Sequence, residues 1–435
     1  MSSEMPLRFQ GDAIVLSGET GTKLKSSILG EYYPFWWRIT SGGDRRNHSL
    51  GTGIVELNSG TGENYIEETG ETILGSAGHA LQLKAQDAGG NLKVILVEEN
   101  PECYGHLKKV IRRKWNTIDV TATENGLTDP HTRVHLLNQN LERAIESIER
   151  MRLRNALFFF DPLLYTPWTD LERVASVRIN NYYKTGTEFI VFMFTSDWFL
   201  GRGALAPLPR VVDPLKWTED ERVTVGCVRN LLGGDGWETS ILTSESTLGR
   251  MQELVSAYKR RLHKWFRYVL PLPFEPRPNQ QYHLFMCSNY EAGVRVTRDF
   301  YAHYTGNARY SPNVNSAYSR FKNLHPELQQ GLSGNRRPDV WKILWKVVRE
   351  HEGGVCDALC DDLQEVGGNY NGVVPSLKWL QSKGYLNPIP PMTDAWSFAL
   401  RNEIYKQYAL DWPVCRQRLG VDPPQALSPL SSRIR

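Results

Sequence analysis

The chain has 435 residues, of which 40% are hydrophobic and 23% charged, with a formal net charge of +3. These values fit a soluble globular protein long enough for two or three domains of ~150 residues each. They exclude a polycationic surface as a whole, so any nucleic-acid face must be a local basic patch.

No apolar run approaches the ~20 residues of a membrane span. Met1–Gly21 has no basic-then-apolar-then-cleavage pattern, so no signal peptide is expected. The six cysteines are scattered and suit reduced thiols, which points to a cytoplasmic protein. The 13 Trp and 19 Tyr supply core and also rings that could stack on a flat ligand.

Residues 1–21 read as an irregular lead-in. Leu24, Ile28, Leu29 and Tyr32 recur at helical spacing behind Thr22, which predicts a helix over Thr22–Trp37. Ser41–Asn47 is a loop, and Gly53–Leu57 is the first strong strand. A Gly-, Glu- and Thr-rich stretch runs from Gly60 to Gly78, and a helix is predicted over Ser76–Ala88. Lys93–Val97 is the second strand. Its helix, Pro101–Lys114, places proline in the first turn, where a missing N–H costs nothing. Strand Arg133–Leu137, helix Leu141–Met151, strand Ala156–Phe160, helix Thr169–Tyr183 and strand Glu188–Phe194 continue the alternation. Strands alternating with helices imply an α/β domain with a mostly parallel sheet, joined by right-handed crossovers.

Leu200–Val223 is rich in Pro and Gly and reads as a loop or lid. Leu248–Phe266 is a long amphipathic helix with Lys259, Arg260, Arg261, Lys264 and Arg267 at its end. That cluster is either a phosphate-tracking surface or a solvated helix face. The region near 200–266 is thus a helical and loop insertion. Tyr268–Phe274 and Gln281–Cys287 flank Glu275-Pro-Arg-Pro-Asn279 and read as an antiparallel hairpin closing the sheet, before a helix over Ala292–Tyr304. The α/β domain is expected over 1–310 and a linker over 311–337. Residues 338–392 then hold three short helices, Asp339–His351, Val355–Val366 and Val373–Ser382. Glycine pairs separate them, and Gly384 and Tyr385-Leu386 follow. This is the pattern of a winged helix-turn-helix. A helix over Thr393–Tyr408 and a tail fill 393–435. Cys356, Cys360 and His351 are spaced within reach of one another but read as buried side chains of that module rather than a metal site.

Three strand tips carry the chemistry. Ile54-Val-Glu-Leu-Asn-Ser-Gly-Thr-Gly62 ends in glycines that let the backbone turn tightly and approach a ligand, with Glu56 able to accept a hydrogen bond from a cofactor amine. Val94-Ile-Leu-Val-Glu-Glu99 offers Glu98, or its neighbour Glu99, to a ribose. The interval from Gly62 to Glu98 exceeds the ~20 residues of a plain dinucleotide fold, which places an insertion at Glu63–Leu74. Ala156-Leu-Phe-Phe-Phe-Asp-Pro162 carries a carboxylate out of a buried strand, with Pro162 restricting Asp161. Such a group would hold a target amine while its lone pair attacks a methyl sulfonium; positioning provides most of the rate.

Glu56-Leu-Asn-Ser-Gly-Thr-Gly62, the Val-Glu-Glu tip and Phe160-Asp-Pro-Leu-Leu-Tyr165 resemble the three-Cys-motif partner protein (TcmP) family. The similarity runs from about Lys23 to Tyr304 and includes Ile73-Leu-Gly-Ser76 and Leu284-Phe-Met-Cys-Ser-Asn289. The resemblance implies a Rossmann-like class I methyltransferase fold, S-adenosylmethionine as cofactor, and a radical-SAM-like partner protein bearing three cysteines. It implies a cofactor set of Glu56, Asn58, Gly60, Gly62, Glu98 and Asn138, and an acceptor set of Asp161, Pro162 and Tyr165. The chain departs from the family pattern at Asn58, where an aromatic is usual, and at Glu56, where Asp is frequent. Tyr165 stands one place later than the aromatic of nucleic-acid amino methyltransferases. Asn138-Gln-Asn140 stands where an acid often meets adenine.

Lys378 and Lys383 lie on or beside the third helix of the small module and would meet nucleic-acid phosphates, as would Lys259, Arg260 and Lys264. The same module would equally serve as a protein-docking surface. The leading expectation is a methyltransferase acting on an amino group of DNA or RNA, working with a partner protein. The alternative is a catalytically silent adaptor with the same fold, in a phage-defence or mobile-element system.

Overall fold

A computed structural model describes residues 7–16, 19–42, 51–87, 90–123, 133–151, 153–162, 165–179, 186–194, 218–234, 247–277, 280–290, 377–388 except 378, and 408–419, with isolated positions over 293–300. The chain divides into two compact units, Met1–Thr297 and Arg298–Arg435.

In the first unit the alternation of strand and helix builds one large sheet. Its strands are β3 (Thr52–Glu56), β6 (Leu92–Val97), β7 (Val120–Thr123), β8 (Val134–Leu137), β9 (Asn155–Phe160), β10 (Thr187–Phe194), β11 (Tyr268–Arg277) and β12 (Gln280–Ser288). They lie in the order β11-β12-β10-β9-β3-β6-β8-β7. Every neighbour pair is parallel except those made by β12, which runs antiparallel to both β10 and β11. Leaving edge strand β7 aside and numbering from β3, the order is 3-2-1-4-5-7-6. The sheet is doubly wound, with its order reversing between β3 and β9. In doubly wound sheets the carboxyl ends of the strands at such a reversal are where ligands bind.

Period-two alternation sorts the strand residues onto two faces. Val55, Ile95, Val97, Phe158 and Phe160 join a core with α4 (Leu141–Arg150), α5 (Trp168–Ile179), α6 (Glu219–Leu232) and α7 (Thr247–Leu262). Phe158, Phe160 and Phe266 each meet Phe189 edge to face in it, each ring contributing on the order of 1.5–3 kcal/mol by burial. The opposite face, with Ile54, Glu56 and Phe159, lies under α1 (Glu19–Gly42) and α2 (Ser76–Gln86). The helix α3 (Pro101–Lys114) starts on a cap: the Asn100 side chain accepts from Glu102 and Cys103 N–H.

The insertion expected at Glu63–Leu74 is a hairpin, β4 (Glu63–Ile66) with β5 (Glu71–Leu74). It joins β1 (Phe9–Gln10) and β2 (Ala13–Leu16) in a second sheet of order β1-β2-β4-β5. Part of the expected irregular lead-in is therefore strand. Its strands are two to four residues long, too short for an alternation to stand out, and β2 pairs with β4 some fifty residues away. The buried Glu63 accepts from Arg113 and Lys114 of α3, while Asp12 accepts from Arg113 at 3.1 Å, so ion pairs anchor the second sheet.

Two further expectations are corrected. The loop expected to reach Val223 has become α6 by Glu219, because prolines stop at Pro214 and the acidic run Glu219–Glu221 suits a helix N-terminus. The basic helix ends at Leu262 rather than Phe266, so Lys264 sits in the turn that follows. Strand β11 carries Pro271 and Pro273 and is tolerated because it is an edge.

In the second unit Leu377 and Trp379–Ser382 are helical, and Gly384, at φ 79°, ends that turn. The apolar pair Tyr385 and Leu386 is buried. Strand β13 (Leu386–Pro388) pairs antiparallel with β14 (Tyr408–Leu410), and α8 (Trp412–Leu419) follows. Tyr408, expected to end a helix, begins a strand whose partner lies twenty residues away. The rest of that expected helix, the expected linker and the first two short helices of the winged module lie outside the described residues. Among the described residues no helix is long and apolar enough to cross a membrane.

Candidate functional site at the carboxyl ends of β3, β6 and β9

Beyond β3 the chain splits from its neighbours. Leu57 N–H donates to Phe159 carbonyl of β9, and Ser59 N–H donates to Val97 carbonyl of β6, each at 3.0 Å. The tip then turns through Gly60 and Gly62, both left-handed at φ 56° and 76°. Gly62 carbonyl accepts from Gly75 N–H at 3.0 Å, which closes the inserted hairpin and returns the chain to α2. On α2 a Cβ at Gly78 would lie 2.3 Å from Gly62 carbonyl oxygen, so only glycine lets the helix pack this close to the tip. Asn58 is exposed at the mouth.

Glu98, at the end of β6, reaches this tip directly. Its Oε2 accepts Gly60 N–H at 2.7 Å and its Oε1 accepts Asn100 N–H at 2.9 Å. Burial raises its pKa, and the two backbone donors pull it back. Each carboxylate oxygen retains a lone pair, so two hydroxyls of a ribose fit its chemistry. Glu99 is exposed. Asn138 donates from Nδ2 to the carbonyls of Glu98, at 2.7 Å, and Glu99, at 3.2 Å; it braces the second tip. Asn140 caps α4 by accepting Arg143 N–H at 3.1 Å.

Glu56 is fully buried, and its Oε1 accepts the Tyr33 hydroxyl at 2.5 Å. Its Oε2 has no hydrogen-bond partner in good geometry among the described residues. Burial pushes its pKa up to about 8; the Tyr33 and Ser76 hydroxyls oppose that rise. A buried, unpaired carboxyl oxygen at the base of a glycine tip is a fitting acceptor for an ammonium such as that of a methionine moiety. Nearby, Ser26 of α1 bonds His79 of α2 at 2.8 Å, and burial depresses the His79 pKa to about 4.

Asp161 emerges from β9, one strand from the glycine tip. Its Oδ2 accepts from Lys25 Nζ of α1 at 2.5 Å, with the two side chains 18% and 17% exposed. The same Nζ lies 4.6 Å from the ring centre of Phe192, on neighbouring strand β10. Tyr33, Glu56, Lys25 and Asp161 form one electrostatic group, since both charges of the ion pair act on Glu56. Lys25 and Tyr33 were absent from the sequence expectations. The available signal was the i, i+4, i+8 stripe Lys25, Leu29, Tyr33: a lysine in line with two fully buried residues.

Pro162 is half-buried. The Tyr165 hydroxyl bonds Cys227 and Asn230 of α6, and burial pushes its pKa up to about 12. Tyr165 thus ties a loop to a helix. On and beside α7, Lys264 pairs with Glu172 at 3.1 Å, Lys259 is half-buried and Arg260 is exposed. Lys383 is exposed in the second unit, its Nζ 5.9 Å from the Trp379 ring centre. Lys378, Cys356, Cys360 and His351 lie outside the described residues. Among the described residues no group of His, Cys, Asp and Glu could hold a metal ion.

No family model matches this chain, and no curated protein matches it. Among solved structures it is similar to protein LPL1258 from Legionella pneumophila, with a TM-score of 0.32 and 10% identity over 62% of this chain and 86% of that one. It is also similar to Trm1 from Pyrococcus horikoshii in complex with S-adenosyl-L-methionine, with a TM-score of 0.32 and 11% identity over 68% of this chain and 64% of that one. A dimethyladenosine transferase from Plasmodium falciparum matches with a TM-score of 0.25 and 11% identity over 85% of this chain and 98% of that one. These likenesses are weak in sequence and in superposition; the architecture is assigned by strand order and register.

Proposed function

We propose that the chain is an S-adenosylmethionine-dependent methyltransferase acting on an amino group of a nucleic acid, together with a partner protein of the three-cysteine, radical-SAM-like kind. The observation that carries the reading is the direct contact between the first two strand tips: Glu98 carboxylate, beyond β6, holding Gly60 N–H, beyond β3, one strand from the switch point of the sheet. Bound there, the cofactor would supply an electrophilic methyl group. Gly60 and Gly62 carry no Cβ at the two left-handed positions of the tip, so backbone would approach the ligand closely there. Glu98 has lone pairs left for ribose hydroxyls, and Glu56 offers an unpaired oxygen to an ammonium. Asp161 would orient the acceptor amine, with the gain coming from positioning rather than from a strong base. Phosphate contacts would come chiefly from Lys378 and Lys383 of the second unit, with a smaller contribution from Lys259, Arg260 and Lys264 of the first.

Titration calorimetry of the full chain with S-adenosylmethionine tests the cofactor part. One site is expected, weakened by Glu98→Ala; an intact protein with no heat of binding removes the reading. Transfer of a labelled methyl group to DNA or RNA tests the acceptor part.

One observation favours a second reading. The Asp161 carboxylate, which an acceptor amine would need, already holds Lys25. A catalytically silent adaptor would keep that pair permanently. Cofactor binding without transfer to DNA, RNA or the chain itself supports the adaptor.

A further inference from the structure

The methyltransferase reading leaves unexplained why a lysine occupies the acceptor carboxylate. Lys25 lies 2.5 Å from Asp161 Oδ2, with Phe192 facing the ammonium at 4.6 Å. A carboxylate on one side and an aromatic face on the other is the chemistry that recognises an ammonium, and an aromatic face accepts a methylated ammonium equally well. The carboxylate that holds the amine also leaves the sheet beside the glycine tip. Phe159, two residues before Asp161, pairs in register with Glu56, and Leu57 N–H bonds Phe159 carbonyl, so Asp161 leaves the sheet one strand spacing, ~4.8 Å, from the chain leading to Gly60. Both side chains of the pair keep part of their surface open, so the amine is held without being sealed in the core.

We propose that Lys25 is a modification site: the chain transfers a methyl group from S-adenosylmethionine to its own Lys25 Nζ. This rests on the methyltransferase reading and names a protein amine as an acceptor at the same site. In the step, Lys25 Nζ gives a proton to Asp161 Oδ2. The freed lone pair forms a C–N bond to the methyl carbon. The C–S bond breaks with its electrons passing to sulfur, leaving S-adenosylhomocysteine. Asp161 then releases its proton to water, and the amine, its lone pair now bonded to the methyl carbon, is already a secondary ammonium with two N–H protons. One proton is released overall. Lys25 then keeps its cation against Asp161 and Phe192 in methylated form.

Two measurements on the full-length protein test this. In the first, the chain is incubated with S-adenosylmethionine carrying an isotopically labelled methyl group, digested and mapped by mass spectrometry. One label on Lys25 is expected, with loss of the label in Lys25→Arg and in Asp161→Asn. In the second, without cofactor, amines are footprinted by reductive methylation. Lys25 should react slowly in the wild type and faster in Asp161→Asn, which releases it. Equal footprints in both proteins overturn the proposal, because the held amine is then absent in solution. If calorimetry shows cofactor binding but the label is absent or lies elsewhere, Lys25 methylation is wrong and the cofactor reading stands. If no cofactor binds, both fall.

Discussion

Burial holds the Glu56 carboxyl at about 8, against 4.5 in an exposed chain. Between those values the folded protein keeps a proton that the unfolded chain has released, so this group's contribution to stability falls as pH rises from 4.5 toward 8. The slope is at most about 1.4 kcal/mol per pH unit. Glu56→Gln keeps the shape and removes the titration; urea midpoints measured at pH of about 5 and about 8 should differ for the wild type and converge for the variant. Cofactor affinity should run the other way. Only the carboxylate form of Glu56 pairs with an ammonium, so affinity should rise with pH and level off above about 8. Calorimetry across that range checks it, and affinity that does not change with pH removes Glu56 from the cofactor contacts. Sequence alone exposed Glu56 as a strand-end acid, because its place before two glycines is visible in the chain. It hid the acid's charge state, which depends on Tyr33 and on burial by α1 and α2. It hid Lys25 for the same reason: whether a helical lysine faces solvent or a carboxylate is decided by what packs against the helix.

At the scale of elements, the glycine tip is a joint between two strands, a hairpin and a helix. Gly78 is where they meet, and an added Cβ would strike Gly62 backbone oxygen at 2.3 Å. Gly78→Ala should therefore cost roughly 1–3 kcal/mol, the usual range for overpacking, and should loosen the tip. A lowered melting midpoint together with weakened cofactor binding is the expected pair of results; unchanged binding would mean that the tip is not the cofactor cradle. Glu63 makes a second joint. It is buried, and its partners Arg113 and Lys114 are half exposed. Glu63→Ala leaves two cations that water can reach, so the cost should stay near 1–3 kcal/mol rather than that of stranded buried charge. Hydrogen exchange should quicken over Glu63–Leu74 and spare β3. The hairpin itself was legible as a surplus of residues between Gly62 and Glu98. Its strands were not, because Glu63–Ile66 and Glu71–Leu74 are four residues each and take their pairing from β2, far back in the chain. The long apolar strands β6, β9 and β10 were legible almost to the residue, since a short continuous apolar run bounded by polar tips is the pattern of a strand buried on both faces.

For the molecule as a whole, a net charge of +3 over 435 residues provides little long-range attraction for a polyanion. Binding to DNA or RNA must then come from a few local phosphate contacts, with a shallow dependence on salt. Two basic groups are candidates, one in each unit. In the first unit Lys264 already pairs with Glu172, and Arg261 donates to Gly233 carbonyl with its guanidinium 4.9 Å from the Trp168 ring centre. Lys264 is already tied to Glu172 and Lys259 is half-buried, which leaves Arg260 as the exposed cation of the set, so replacing Lys259, Arg260 and Lys264 together should change the salt slope only a little. In the second unit Lys383, Arg416 and Arg418 are exposed, and Arg418 donates to Lys383 carbonyl and helps hold the turn after Gly384. Lys383→Ala with Arg416→Ala leaves that brace intact. If the second unit grips the phosphate backbone, the double variant should lower the slope of log affinity against log salt by about 2, close to one per lost contact. Cofactor binding should stay unchanged, because the cofactor tips all belong to the first unit. A slope unaltered by either set of substitutions would remove nucleic acid as the acceptor and leave a protein amine as the substrate class.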